Sequence, residues 1–342
     1  MERLYESLPL LVTPFAACLV IASLHCYMGL HVIKRGVIFV DLALAQAAAL
    51  GAAVALLMTP LVCSEPHQHH DAPQAASVTE TALAEQLDLE GDGAAESPAM
   101  DAESDVPESH EHATHGCGHE HGHEYGHETL TYGMSLLFAL LGAVLLSFGR
   151  LKDERIPHEA VIGIIFVVCA ALSVLILSKA PHGHEKMEAM LVGSILFVNW
   201  RQVVVMLLLY LVLGIIHVAV RKDFLVISQG VTAAEKTGKR VRLWDCLFYG
   251  LFALMVTQSV SIAGVFVVFS YLIIPAACAA LFTDRFGSQL VFAWLVAAVT
   301  TALGLAVSAI GDMPTGSSLV SCFGAVLVLF AVIRTVFPRR ST

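Results

Sequence analysis

The sequence predicts an all-α, polytopic membrane protein, and three observations carry that expectation. Of its 342 residues, 57% are hydrophobic and only 14% are charged, against roughly 25% charged in a soluble domain. Apolar runs of about 20 residues recur along the chain, the length at which a helix crosses a hydrocarbon core ~30 Å thick. A helix also satisfies its own backbone hydrogen bonds there, which an open strand cannot do.

Taken in order, the expected spans are 9–31, 37–63, 130–149, 158–178, 203–220, 245–261, 263–282, 288–310 and 318–337. The first is too long for a signal-peptide core and is followed by no small-residue cleavage site. A shorter apolar stretch, 188–198, makes a helix of only about 16 Å and cannot cross. It is expected either as a re-entrant turn or as the start of a long helix running through Trp200 into the 203–220 span. Pro275, in "YLIIPAACAA", breaks a hydrogen-bond ladder and predicts a kink. Asp312, in "GDMPTG", is expected to shape a turn.

Basic residues orient the chain, since lysine and arginine accumulate on the cytoplasmic side. With nine spans, Lys34/Arg35, Arg150/Lys152/Arg155, Arg221/Lys222, the 236–242 cluster, Arg285 and Arg339/Arg340 all fall on one side. The N-terminus is then outside and the C-terminus inside. A tenth span would carry the first two clusters outward.

The acidity belongs to one segment. No lysine or arginine occurs from Gly36 to Gly149, and residues 64–129 hold ten of the sixteen histidines. That insert is rich in Ala, Glu, Asp, Ser and Pro and poor in aromatic and branched residues, so it is expected to be disordered and extracytoplasmic. Within it, His110, His112, His115, His119, His121, His123 and His127 crowd together. Imidazoles on a flexible chain suit zinc, copper or nickel in loose, interchangeable sites, with carboxylates completing the shell. The domain reading is therefore 1–63 as the first two spans, 64–129 as the insert, and 130–338 as seven further spans enclosing a cytoplasmic loop, 221–244.

Inside the spans, polar groups are expensive; an aspartate at a helix centre costs roughly 2.5–3.5 kcal/mol. Asp41 and Gln46 in "VIFVDLALAQAAALGAA" are read as lining a polar path with His25 on the preceding span. The alternative for Asp41 is an ion pair with Lys34 or Arg35. The alternative for His25 and His217 is a packing residue hydrogen-bonded between helices, the commoner role of a lone histidine in a span.

Several function classes are disfavoured. There is no GxxxxGK[ST] phosphate loop and no CxxC pair. The zincin pattern His-Glu-x-x-His occurs from His119 and from His123, but it overlaps itself in a glycine-punctuated run where no helix is expected, so enzymatic use is not expected. A proton-coupled carrier would need His-x-x-x-Asp on a span; the instance here, His67 to Asp71, lies in the insert.

Three stretches together resemble the membrane permease of the metal ABC transporter family that takes up zinc or manganese. They are "GLHVIKRGVIFVDLALAQAAALG", "SIAGVFVVFSYLIIPAACAALF" and "GDMPTGSSLV". "VIGIIFVVCAAL", "MLVGSILF" and "ISQGVTAAEKTGKRVRLWD" extend the likeness to nearly all of the chain outside the insert. The sequence departs from the family pattern twice. Val40 stands where the family has Gly before its Asp, and Gln46 falls one residue late for the family's His. The cytoplasmic loop reads "ISQGVTAA" in place of Phe-Asp-Pro-Glu.

The resemblance implies a permease without tightly bound cofactors, in a bacterial cytoplasmic membrane, moving a divalent metal. Zinc is favoured by the histidine-rich insert and manganese is the second choice. The implied partners are a separate cytoplasmic ATPase, a periplasmic or surface metal-binding protein and a second permease copy, with no nucleic acid. Glu235 and Lys236 fall at the family's ATPase-coupling position. A proton-coupled metal transporter with a His-rich loop is the alternative.

Overall fold

The computed structural model describes residues 2–62, 121–149, 157–180, 183–220, 224 and 241–336. Among them the chain is helical without strands. The helices are α1 (Glu2–Arg35), α2 (Val40–Val62), α3 (His121–Phe148), α4 (His158–Leu177), α5 (Gly183–Val192), α6 (Trp200–Ala219), α7 (Val241–Ala263), α8 (Val265–Phe282), α9 (Phe286–Gly311) and α10 (Thr315–Val336). All but α5 are long and apolar enough to cross a membrane, which gives nine candidate spans among the described residues.

The helix ends follow from local chemistry. α1 stops at Gly36, whose φ of 65° lies in the left-handed region. The Val37 and Gly36 N–H groups return to the carbonyls of Val32 and Ile33, the paired bonds of a glycine-terminated helix. Lys34 and Arg35 occupy its last turn, where cations meet the negative end of the helix dipole. The next segment is tied from outside, because Ile38 N–H donates to the Glu159 carboxylate at 3.2 Å.

The 188–198 stretch is resolved as the broken alternative, not as part of one long helix. α5 ends at Val192, a single 3₁₀ turn spans Ile195–Phe197, and α6 starts afresh at Trp200. Two features force the break. Gly193 has φ 75° and Gly264, between α7 and α8, has φ 77°. Their backbones meet so closely that a Cβ on either would collide with the other's main chain. Asn199 then caps α6: its side chain accepts from Gln202 N–H at 3.0 Å while Gln202 accepts from Asn199 N–H at 3.1 Å, a reciprocal capping box.

Two boundaries differ from the sequence expectation. α3 begins at His121, inside the segment expected to be disordered, because a helix nucleated by an apolar span extends into polar neighbours at small cost per residue. α7 reaches back to Val241, into the expected 221–244 loop.

α2 is the most enclosed span, with 78% of its apolar window buried, whereas α10 has 11% and α4 17%. Small residues explain the enclosure. α2 is alanine-rich, and a Cβ on its Gly51 would strike the Met134 backbone of α3, so close approach replaces side-chain bulk. α1 packs on α8 and α9 and also meets α6. Gly29 of α1 lies against the Leu272 carbonyl of α8. Pro275 lies inside α8, which continues through it. Its ring removes the N–H that would serve Tyr271 O, and the Cys26 thiol of α1 points at that carbonyl from 3.9 Å. Asp312 adopts the left-handed conformation (φ 53°, ψ 44°) that ends α9, as its turn reading anticipated.

Candidate functional site

Three groups of buried polar side chains follow α1 toward its basic end. The first is built on His25, which is fully buried. Its Nδ1 lies 2.9 Å from Ile21 O one turn back, so that nitrogen carries the proton, since a carbonyl can only accept. In the neutral ring Nε2 is then a bare acceptor. Ser259 Oγ of α7 stands 3.3 Å from it. The same hydroxyl lies 2.7 Å from Met255 O and 3.2 Å from Val256 O. One hydroxyl proton thus faces three acceptors. When it turns to Met255, the His25 Nε2 lone pair is left for another electrophile.

Tyr210 of α6 completes this group. Its ring centroid is 5.9 Å from that of His25, and its hydroxyl lies 3.5 Å from Met255 O. Tyr210 thus stands against His25, one of the residues that the sequence singled out. Neither Tyr210 nor Ser259 was legible beforehand, because a tyrosine or serine in a span is ordinary until its neighbours are known.

Asp41 is 1% exposed, and its Oδ1 has no hydrogen-bond partner. The expected alternative, pairing with Lys34 or Arg35, is not what the fold provides. Arg35 pairs with Asp245 at 3.4 Å, and Lys34 Nζ sits 4.7 Å over the Phe286 ring. What eases the burial of Asp41 is its place in the first turn of α2, where unsatisfied N–H groups make the helix end positive. Gln46 is buried on the same helix; five positions separate it from Asp41, or about 140° of turn.

The second group lies one to two turns further on. Tyr27 stands 4.8 Å from His31 and 5.9 Å from His217, ring to ring. His217 Nδ1 is 2.8 Å from Leu213 O, leaving Nε2 as a buried acceptor without a donor, and His31 Nδ1 is likewise unpartnered. His217 thus has a hydrogen bond within its own helix, not one between helices as the packing alternative supposed, and also an unused lone pair. The third group is the Arg35–Asp245 pair with its aromatic neighbours.

Among the described residues no three His, Cys, Asp or Glu side chains come together as a metal-holding group. The unengaged buried atoms of these groups are imidazole nitrogens of His31 and His217 and one oxygen of Asp41, beside the contested Nε2 of His25. Imidazole nitrogen and carboxylate oxygen are ligand types that several divalent cations accept. His110, His112, His115 and His119 lie outside the described residues, as do Glu235 and Lys236. His121, His123 and His127 fall in the opening turns of α3, so the His-Glu-x-x-His from His123 is on a helix after all.

Comparison with known proteins bears on what this arrangement does. The family model described as the ABC 3 transport family matches residues 127–334. The manganese transport system membrane protein of Synechocystis is 25% identical over 207 residues, covering 58% of this chain and 67% of that protein. The corresponding Listeria innocua protein is 28% identical, covering 54% of this chain and 65% of its own length. A chelated iron transport system membrane protein of Yersinia pestis is 29% identical, covering 49% and 56% respectively. The chain thus spans roughly two thirds or less of these relatives' length. Among solved structures, PsaBC from Streptococcus pneumoniae in complex with Fab shares the fold with a TM-score of 0.64 at 16% identity, covering 96% of this chain and 94% of that one. An inward-facing ABC transporter of the metal-chelate type gives 0.58 at 14% identity, covering 94% and 85%.

Proposed function

Because this chain belongs to the ABC 3 transport family, a multi-pass protein of the bacterial inner membrane, we propose that it is the permease subunit of an ATP-driven importer of a divalent metal ion. The observation that carries the reading is the set of buried polar groups inside the spans: His25 with Ser259 and Tyr210, and Asp41, whose Oδ1 has no hydrogen-bond partner. A carboxylate stays in an apolar helix bundle most readily where water or a cation offsets its desolvation. His25 Nε2 and Asp41 Oδ1 are transient ligands in this reading. Release is easy because neither belongs to a closed tetrahedral cage.

The ATPase is a separate cytoplasmic partner that closes on the basic side of the chain through the 221–244 region, with Glu235 and Lys236 in contact with it. A periplasmic or surface metal-binding protein delivers the ion to the opposite face. A second permease copy packs on apolar helix faces that this chain leaves exposed. The histidine-rich insert captures metal outside the membrane without being the transport site.

The insert's imidazoles favour zinc, whereas the relatives are named for manganese and iron. Carboxylate and imidazole donors accept all three ions, so selection rests on delivery. The test is uptake of radioactive manganese, zinc and iron(II) by vesicles containing the chain and its copurified ATPase. ATP-dependent uptake of at least one ion, competed by the others, is expected. Uptake driven by a proton gradient without ATP would replace this reading with the secondary-transporter alternative.

A further inference from the structure

Arg35 is the last residue of α1, and its buried side chain is gripped on several sides. Its Nη1 lies 3.4 Å from Asp245 Oδ1, with side-chain exposures of 5% and 2%. The guanidinium carbon is 3.8 Å from the Phe248 ring centroid and 5.9 Å from that of Phe224. Phe224 meets Phe248 edge-on at 5.6 Å and Trp244 at 5.9 Å. These partners come from two places. Phe224 precedes residues 225–240, and Trp244, Asp245 and Phe248 follow them on the first turns of α7.

A buried ion pair is weak evidence for stability, because desolvating both charges offsets their attraction. What it fixes is position: a planar guanidinium that is both paired and stacked has one geometry. Arg35 also leads directly into the Gly36 turn and then into the first turn of α2, where Asp41 sits. His31 lies one turn before it on α1. Phe224 and the first turns of α7 thus both hold the residue that leads from the helix bearing His31 to the helix bearing Asp41.

We infer that Arg35, held by Asp245 and Phe248, is the positioning residue that transmits movement of Phe224 and the first turns of α7 to Asp41. The inference rests on the importer reading. Its test is a ratio, ions transported per ATP hydrolysed, measured with manganese(II) and zinc(II) on one set of proteoliposomes containing the chain and its copurified ATPase. Arg35→Ala and Asp245→Asn are expected to hydrolyse ATP within about twofold of wild type while the ratio falls about tenfold. Exchanging the charges, Arg35→Asp with Asp245→Arg, is expected to restore part of the ratio. Where Arg35→Ala fails to assemble, Arg35→Lys and Phe248→Leu at normal assembly decide, and each is expected to lower the ratio severalfold. An unchanged ratio in assembled variants over a working wild type overturns the inference alone. No ATP-driven uptake by the wild type overturns the importer reading and the inference with it.

Discussion

Asp41 and His25 were conspicuous in the sequence because ionisable groups are rare in runs of Val, Leu and Ala. Their surroundings were not, since Ser259 and Tyr210 arrive from helices far along the chain. An orphaned buried carboxylate oxygen costs about 1–3 kcal/mol. Asp41→Asn is therefore expected to leave thermal stability unchanged or slightly raised, while metal flux falls about tenfold or more. A melting curve and a flux assay on the same preparation check this; equal flux would return Asp41 to a structural role. Ser259→Ala removes the hydroxyl that competes for His25 Nε2. It is expected to tighten metal binding and slow release, read as a lower KM with a lower maximal rate. A rise in KM at unchanged rate would mean that Ser259 is itself a ligand.

At the scale of elements, the spans were legible from apolar runs because burying or lipid-facing the whole circumference leaves little room for charge. The break between α5 and α6 was signalled only by "VGS" and by the Asn-x-x-Gln cap. Neither decides the matter until the Gly193–Gly264 contact is seen, which joins segments remote in sequence. Gly193→Ala and Gly264→Ala combine positive φ with backbone collision, so each is expected to destabilise by several kcal/mol and to abolish monodisperse protein in detergent. Gly36→Ala shares the positive φ but meets nothing within 4 Å, so about 1 kcal/mol is expected. Comparing the three by size-exclusion chromatography separates strain from collision. The start of α3 at His121 was hidden because composition alone cannot say how far a span's helix reaches into polar sequence. It sets the boundary for removing the insert. Deleting 64–120 is expected to keep uptake at saturating metal and reduce it when metal is scarce. Lost uptake at saturation would place the insert in the transport route.

For the whole molecule, family membership was legible from the order of short apolar motifs, even though relatives share only 25–29% identity over the matched regions. The metal was not, because the donors inside the bundle serve several ions and the histidine-rich insert speaks only for itself. His25, Ser259, Tyr210 and Asp41 are enclosed within one protomer. If they handle the ion, it passes through the chain's own core at some stage of the cycle, and partner closure must open that core. Replacing Glu235 and Lys236 with alanine is expected to lower metal-stimulated ATP hydrolysis while basal hydrolysis persists; unchanged stimulation would leave those charges as a solvated surface.

The most direct measurement is radioactive manganese and zinc uptake into proteoliposomes holding the permease and its ATPase, wild type beside Asp41→Asn, with ATP hydrolysis followed in parallel. The expected result is ATP-dependent uptake by the wild type and hydrolysis without uptake by the variant. Equal uptake by both would contradict a translocation centre at Asp41.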